Sequence, residues 1–234
     1  MNAPKPFSLT VDAATVVSAL WWQPPRPHAV YVFAHGAGAG MQHSFMDALS
    51  QALSAQSIAT LRYQFPYMER GSKRPDSPAV AHAAVRAAVA EAHRCLPDVP
   101  LLAGGKSFGG RMTSQAQAAE AMPGVHGLVF VGFPLHPAGK PGVERAAHLA
   151  DVDVPILFLQ GTRDELADLA LLRGVVAGLG AKATLQLEDD ADHAFHVRAR
   201  SGRNDAQVVQ SLASGLASWL PRIARWCVTK QRLS

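Results

Sequence analysis

An alternation runs through the whole chain and limits what it can become. Short apolar runs bounded by Gly and Pro take turns with longer Ala- and Leu-rich stretches, and no repeat or low-complexity linker interrupts them. Apolar runs of strand length bury both faces, whereas the longer stretches carry apolar residues at three- and four-residue spacing, the period of a helix. Strands alternating with helices predict an α/β domain, a mostly parallel sheet with helices on both faces.

Eight runs qualify as strands. Phe7 to Val11 and Thr15 to Trp22 form an opening antiparallel pair, set apart by the turn-rich "QPPRPH". Ala29 to His35, Ile58 to Phe65, Pro100 to Gly105, Val125 to Pro134, Val154 to Gly161 and Ala183 to Glu188 supply the rest. Helices are expected near Ser44 to Gln56, Ala79 to Cys95, Ser107 to Ala121, Leu166 to Leu179 and Asp205 to Leu220. With 48% of its 234 residues apolar, the chain can bury a large core, so residues 1–234 are expected to form a single domain.

The stretch "PLLAGGKSFGGRM", Pro100 to Met112, admits two chemistries. A phosphate-binding loop needs Gly-x-x-x-x-Gly-Lys-Ser, and five residues before Gly105 stands Pro100, which has no amide to donate and cannot adopt glycine's backbone angles. "HGAGAGMQH" fails the dinucleotide fingerprint too, because Met41 stands where the third glycine belongs. Gly105-Lys106-Ser107-Phe108-Gly109 does satisfy Gly-x-Ser-x-Gly, after a strand and before a helix. Lifting a serine hydroxyl out of a sheet edge takes a sharp, strained turn, and small residues around it let strand and helix approach.

Serine is a weak nucleophile until a base takes its proton, and that base needs a third group to hold its tautomer. In an elbow fold an acid and then a histidine follow the serine. Asp164, in "TRDEL" after one strand, and His193, in "DDADHAFH" after the next, fall on the sheet edge where Ser107 belongs. Asp164 could instead cap a helix starting at Glu165, with Asp168 as the reserve acid. His196 competes with His193; the pair could also bind metal, but no third ligand stands at a recognisable spacing. No metal and no cofactor are expected. Asp189, Asp190 and Asp192 read as solvated loop carboxylates.

A tetrahedral intermediate needs preorganised donors for its oxyanion. The N–H of Phe108 is one, and the loop His35 to Gly40 supplies the other, Ala37 first and Gly38 second. His35 either orients this loop or is an ordinary histidine. Lys106 and Arg111, with Arg70, Lys73 and Arg74 from the loop Pro66 to Pro78, could form a cationic rim for a substrate carboxylate or phosphate; solvated surface charge is the alternative. Arg163, Arg198, Arg200 and Arg203 flank the acid and the histidine. Phe65, Tyr67, Met68, Phe108, Phe133 and Phe195 could line an acyl pocket or simply pack the core. Leu135 to Asp153 is too short to hold a lid domain, so the loop Pro66 to Pro78 is the expected cover.

At this point a resemblance can be stated. "HGAGAGMQHSFM", "LRYQFPYMERGSKRPD", "GGKSFGGRMTS", "GFPLHPAGKP", "FLQGTRDEL" and "DADHAFHVRARSGR", spread over residues 35 to 203, resemble an α/β-hydrolase of the small, capless, dienelactone-hydrolase-like kind. More narrowly they are similar to the branch named after a testis-expressed hydrolase-like protein and a subunit of a histone-acetyltransferase complex. The resemblance implies the α/β-hydrolase fold and a triad of Ser107, Asp164 and His193. Dienelactone hydrolases proper use cysteine as nucleophile, so their substrate does not carry over to a chain with Ser107 there.

The expected function is cleavage of a small carboxylic ester or thioester by a serine hydrolase through an acyl-enzyme. Acyl transfer or peptidase activity with the same triad, and a catalytically silent scaffold of the same fold, are the alternatives. The formal charge of +4 with scattered Lys and Arg argues against a nucleic-acid partner. Cys95 and Cys227 suggest neither a disulfide framework nor a zinc cage. "MNAPKPFSLT" lacks the pattern of a signal peptide, and no apolar stretch is long enough for a bilayer, so a cytoplasmic protein without a membrane partner is expected. The tail Thr229 to Ser234 is expected to fray, and nothing specifies an oligomeric state.

Overall fold

The computed structural model describes residues 3–231, with side chains as far as Trp226. Its strands are β1 (Lys5–Thr10), β2 (Val16–Trp22), β3 (Ala29–Ala34), β4 (Ile58–Tyr63), β5 (Leu101–Lys106), β6 (Val125–Val131), β7 (Ile156–Gly161) and β8 (Ala183–Glu188). They form one sheet in the order β1-β2-β4-β3-β5-β6-β7-β8. β2 pairs antiparallel with β1 and β4, and all other pairs are parallel. This is the α/β-hydrolase fold, and no lid domain is inserted among the described residues.

The helices are α1 (Ser44–Ala55), α2 (Pro66–Glu69), α3 (Pro78–Cys95), α4 (Phe108–Ala119), α5 (Leu169–Leu179) and α6 (Asp205–Gln231). Because successive strand residues point to opposite faces, β3 divides its side chains between two cores. Tyr31 and Phe33 meet α1 and α6 through Met46, Leu53, Leu212 and Trp219. Val30 and Val32 share the other core with Ala84 and Ala88 of α3 and Met112 of α4.

Three expectations about the helices change. α5 begins at Leu169 rather than Leu166, because the Asp168 side chain accepts the Leu171 N–H at 2.9 Å and sets the start. α6 continues past Leu220 to Gln231 with Pro221 inside it. An internal proline costs about 3 kcal/mol, but Trp219 and Ile223 on either side of it are buried against the sheet, and the Trp219 Nε1–H donates to Thr184 Oγ1 at 3.1 Å. Thr229 to Gln231, expected to fray, are the last helical residues; the remaining tail and the Cys227 side chain lie outside the described residues. Finally, α2 and a 3₁₀ segment, Glu144–Asp151, form inside stretches read as loops. No helix among the described residues is long and apolar enough to cross a membrane.

Candidate active site

β5 and α4 meet at Ser107, whose backbone sits at φ 50°, ψ −114°. Such a conformation costs a non-glycine residue on the order of 1–3 kcal/mol and persists only where its surroundings hold it. Here they do. A Cβ at Gly105 would lie 2.5 Å from the Ala34 carbonyl oxygen, and one at Gly109 would lie 2.6 Å from the Ala34 and His35 oxygens, so only glycine lets α4 start this close to β3. The Ser107 N–H donates to Val131 O at 3.1 Å, which pins the turn to β6.

The structure brings Ser107, His193 and Asp164 into one hydrogen-bonded chain. His193 Nε2 lies 2.9 Å from Ser107 Oγ, and Nδ1 lies 2.7 Å from Asp164 Oδ2. With Nδ1 protonated against the carboxylate, Nε2 is left to accept from the serine hydroxyl. Asp164 is buried, and its oxygens are spoken for: Oδ1 accepts the Leu166 N–H at 2.8 Å, and Oδ2 also accepts from Gln160 Nε2 at 2.5 Å. Gln160 in turn accepts the Phe133 N–H at 2.8 Å. Asp168 stays at the start of α5, and His196 pairs with Asp205 at 2.6 Å on the surface, so neither competitor reaches Ser107.

The turn carrying His193 is knit from two sides. Asp192, read from sequence as a solvated carboxylate, accepts the N–H groups of Ala194 and His196 at 2.9 Å each. Lys106 donates to the His193 carbonyl at 2.6 Å with its ammonium over the Phe195 ring. Burial pushes Lys106 down to about 8, against the pull of Asp164 and Asp192.

His35 lies buried beneath the Gly-rich loop, donating from Nδ1 to Gly36 O at 2.7 Å and accepting the Phe65 N–H at Nε2, 3.1 Å away. Only the neutral ring can do both, and burial pushes it down to about 4. It therefore orients the loop. The Gly38 N–H points to the Tyr67 hydroxyl at 3.3 Å, whereas no acceptor among the described residues takes the N–H of Ala37. Because the folded state resists protonating His35, stability should be full above the ordinary histidine range and fall as pH drops from about 6.5 to about 4, by about 3 kcal/mol from this group. His148, also pushed down to about 4, adds to the same window. Urea melts across that range should show a shallower pH dependence for His35→Gln than for the wild type; equal slopes would remove His35 from the account.

Two cavities meet at Ser107. The larger, about 760 Å³, is walled by Phe45 and Met46 of α1, Phe195, and Val209 of α6. The smaller, about 380 Å³, is walled by Phe108, Arg111, Pro134, Arg145, Pro75 and Asp76. Ser107, Ala37 and Leu166 line both. Part of the loop expected as cover thus flanks the site through Pro75 and Asp76.

The expected pocket and rim residues divide. Phe195 lines the larger cavity and Phe108 the smaller, but Phe65 and Tyr67 meet Phe108 edge to face, Phe133 packs on Phe130 and Phe158, and Met68 lines a separate cleft near β1. Lys106 borders the larger cavity with its ammonium engaged by a backbone carbonyl, Arg70 pairs with Asp76 at 2.5 Å, and Lys73 is exposed. Arg163 and Arg198 pair with Asp190, and Arg203 with Glu188. Of the rim cations, Arg111 lines the smaller cavity with Ser107, its Nε buried without a hydrogen-bond partner among the described residues. Sequence reasoning missed Gln160, Phe45, Val209 and Arg145; the position of Phe45 just after the Gly-rich loop was a usable signal, and Arg145 carried none.

A model of the alpha/beta hydrolase domain family matches residues 27–221. The chain belongs to that family. Among solved structures, this alpha/beta hydrolase is similar to an alpha-beta serine hydrolase homologue from Coxiella burnetii, with 18% identity, TM-score 0.73, and coverage of 91% of this chain and 97% of that one. It is similar also to a serine hydrolase without lid from Xanthomonas campestris, with 20% identity, TM-score 0.72, and coverage of 92% and 94%. A dienelactone hydrolase from Anabaena variabilis gives 18% identity, TM-score 0.74, and coverage of 94% and 98%. At these identities the likeness is one of fold.

Proposed function

We propose that this alpha/beta hydrolase cleaves a small carboxylic ester or thioester through an acyl-enzyme on Ser107. The observation that carries the reading is the 2.9 Å approach of His193 Nε2 to Ser107 Oγ, backed by Asp164, where two cavities join. His193 takes the hydroxyl proton as Oγ attacks the carbonyl carbon, while Asp164 holds the ring and stabilises the imidazolium. The N–H groups of Phe108 and Ala37 receive the oxyanion, the Gly38 amide being turned to Tyr67. Collapse breaks the bond to the leaving oxygen or sulfur, which takes the proton from His193. Water, deprotonated by His193, then attacks the acyl-serine and releases the acid.

The sheet edge, with two cavities joining at Ser107, and the resemblance of six sequence blocks to the testis-expressed and acetyltransferase-subunit branch support an open site for small substrates. A fluorophosphonate probe followed by intact mass tests the reading. One adduct is expected on the wild type and none on folded Ser107→Ala or His193→Ala. No adduct on folded wild type would overturn it in favour of a scaffold.

A further inference from the structure

The two cavities at Ser107 differ in chemistry, and the difference specifies a substrate. Ser107 and Ala37 line both, so a scissile bond held there sends one arm into each. The larger cavity is walled by Phe45, Met46, Phe195 and Val209, and the Lys106 ammonium at its edge is turned to the His193 carbonyl. It suits an apolar arm. The smaller holds Arg111 and Arg145, neither of which pairs with a carboxylate among the described residues.

Arg111 Nε is buried with no hydrogen-bond partner, and burial together with the nearby Arg145 charge disfavours its cation. A buried donor without a partner costs about 1–3 kcal/mol, more when charged, and two unpaired guanidinium groups side by side repel. Asp76 on the cavity wall pairs with Arg70 through Oδ1, its Oδ2 is buried without a hydrogen-bond partner, and neither oxygen bonds Arg111 or Arg145. The neighbouring His148 ring hydrogen-bonds Ser114 at 2.8 Å and, pushed down to about 4, is neutral at neutral pH. An anion with two acceptor oxygens is the shape that guanidinium forks lining this cavity fit best.

We propose that the substrate of this alpha/beta hydrolase is an ester or thioester with one apolar arm and one arm ending in a carboxylate, held by Arg111 and Arg145. The inference rests on the hydrolase reading above. Arg111 lies one helical turn after Ser107, where side chains stand about 5–6 Å apart at Cβ, so a spacer of a few carbons separates carboxylate from carbonyl.

Two matched pairs of substrates test it, one for each arm. On the acyl side, p-nitrophenyl hydrogen glutarate is compared with p-nitrophenyl pentanoate; on the leaving side, the hexanoyl thioester of 3-mercaptopropionate is compared with that of propanethiol. In at least one pair the ratio of kcat/KM, charged over neutral, should exceed about tenfold, decline with added salt, and drop on the order of 10-fold or more in Arg111→Gln and, separately, in Arg145→Gln. Ratios within about twofold of unity in both pairs, or ratios that survive both substitutions, would overturn the carboxylate arm while fluorophosphonate labelling of Ser107 kept the hydrolase reading. Loss of labelling on the wild type would overturn both.

Discussion

Replacing Ser107 with alanine is expected to lower kcat for ester hydrolysis by about 10³-fold or more, with His193→Ala close behind. Nucleophile and base act as one unit, so the Ser107→Ala, His193→Ala double variant should be no slower than either single variant. Asp164→Asn tests the third member differently. The amide would still meet His193 at 2.7 Å but would favour the wrong tautomer, lowering kcat by up to about 10⁴-fold in an intact fold. Steady-state rates at saturating ester, with circular dichroism as the check on folding, decide the matter. A Ser107→Ala protein that kept a tenth of the wild-type rate would place the nucleophile elsewhere.

The second large effect is on stability. Gly104 pairs with Val129 in the middle of the sheet, and a Cβ there would stand 1.8 Å from the Val129 carbonyl oxygen and 2.8 Å from its carbon. Both are backbone atoms of a central strand whose neighbours are fully buried, so the strand pair must separate to admit a methyl group. Gly104→Ala should cost more than about 3 kcal/mol and lower Tm by about 6–12 °C in a chain of this size. Gly174→Ala is the contrasting case. That residue lies exposed inside α5 with open space where the methyl would go, and alanine there should stabilise by up to about 1 kcal/mol. Thermal melts of the two variants separate a steric requirement for glycine from its general cost; a Gly104→Ala protein melting within about 2 °C of the wild type would refute the clash.

Where local pattern matched tertiary demand, the chain was readable. The eight apolar runs became the eight strands, because a run buried on both faces has no competing role in an α/β protein. The start of α5 and the end of α6 differ from the sequence pattern for a physical reason: Asp168 captures the Leu171 amide that a helix begun at Leu166 would have given to the Ala167 carbonyl, and Trp219 and Ile223 bury enough surface to carry a helix across Pro221. Asp192 looked like any loop aspartate until its neighbours' N–H groups closed on it.

What sequence alone determined is the family of solutions: a mostly parallel sheet, a serine between small residues at a strand-to-helix turn, and an acid and a histidine after later strands on the same edge. Each is a local property, set by hydrophobic period, glycine sterics and chain order. Only the tertiary structure decided which partners meet and which cations remain unpaired. It set His193 rather than His196 against Ser107, turned the Gly38 amide to Tyr67, tied Lys106 and Arg70 to other groups, and brought Arg145 from a motif-free 3₁₀ segment to the cavity that Arg111 lines. Those outcomes depend on distances of a few ångströms between residues far apart in the chain, and charge or hydrogen-bond pairing falls off over that same length.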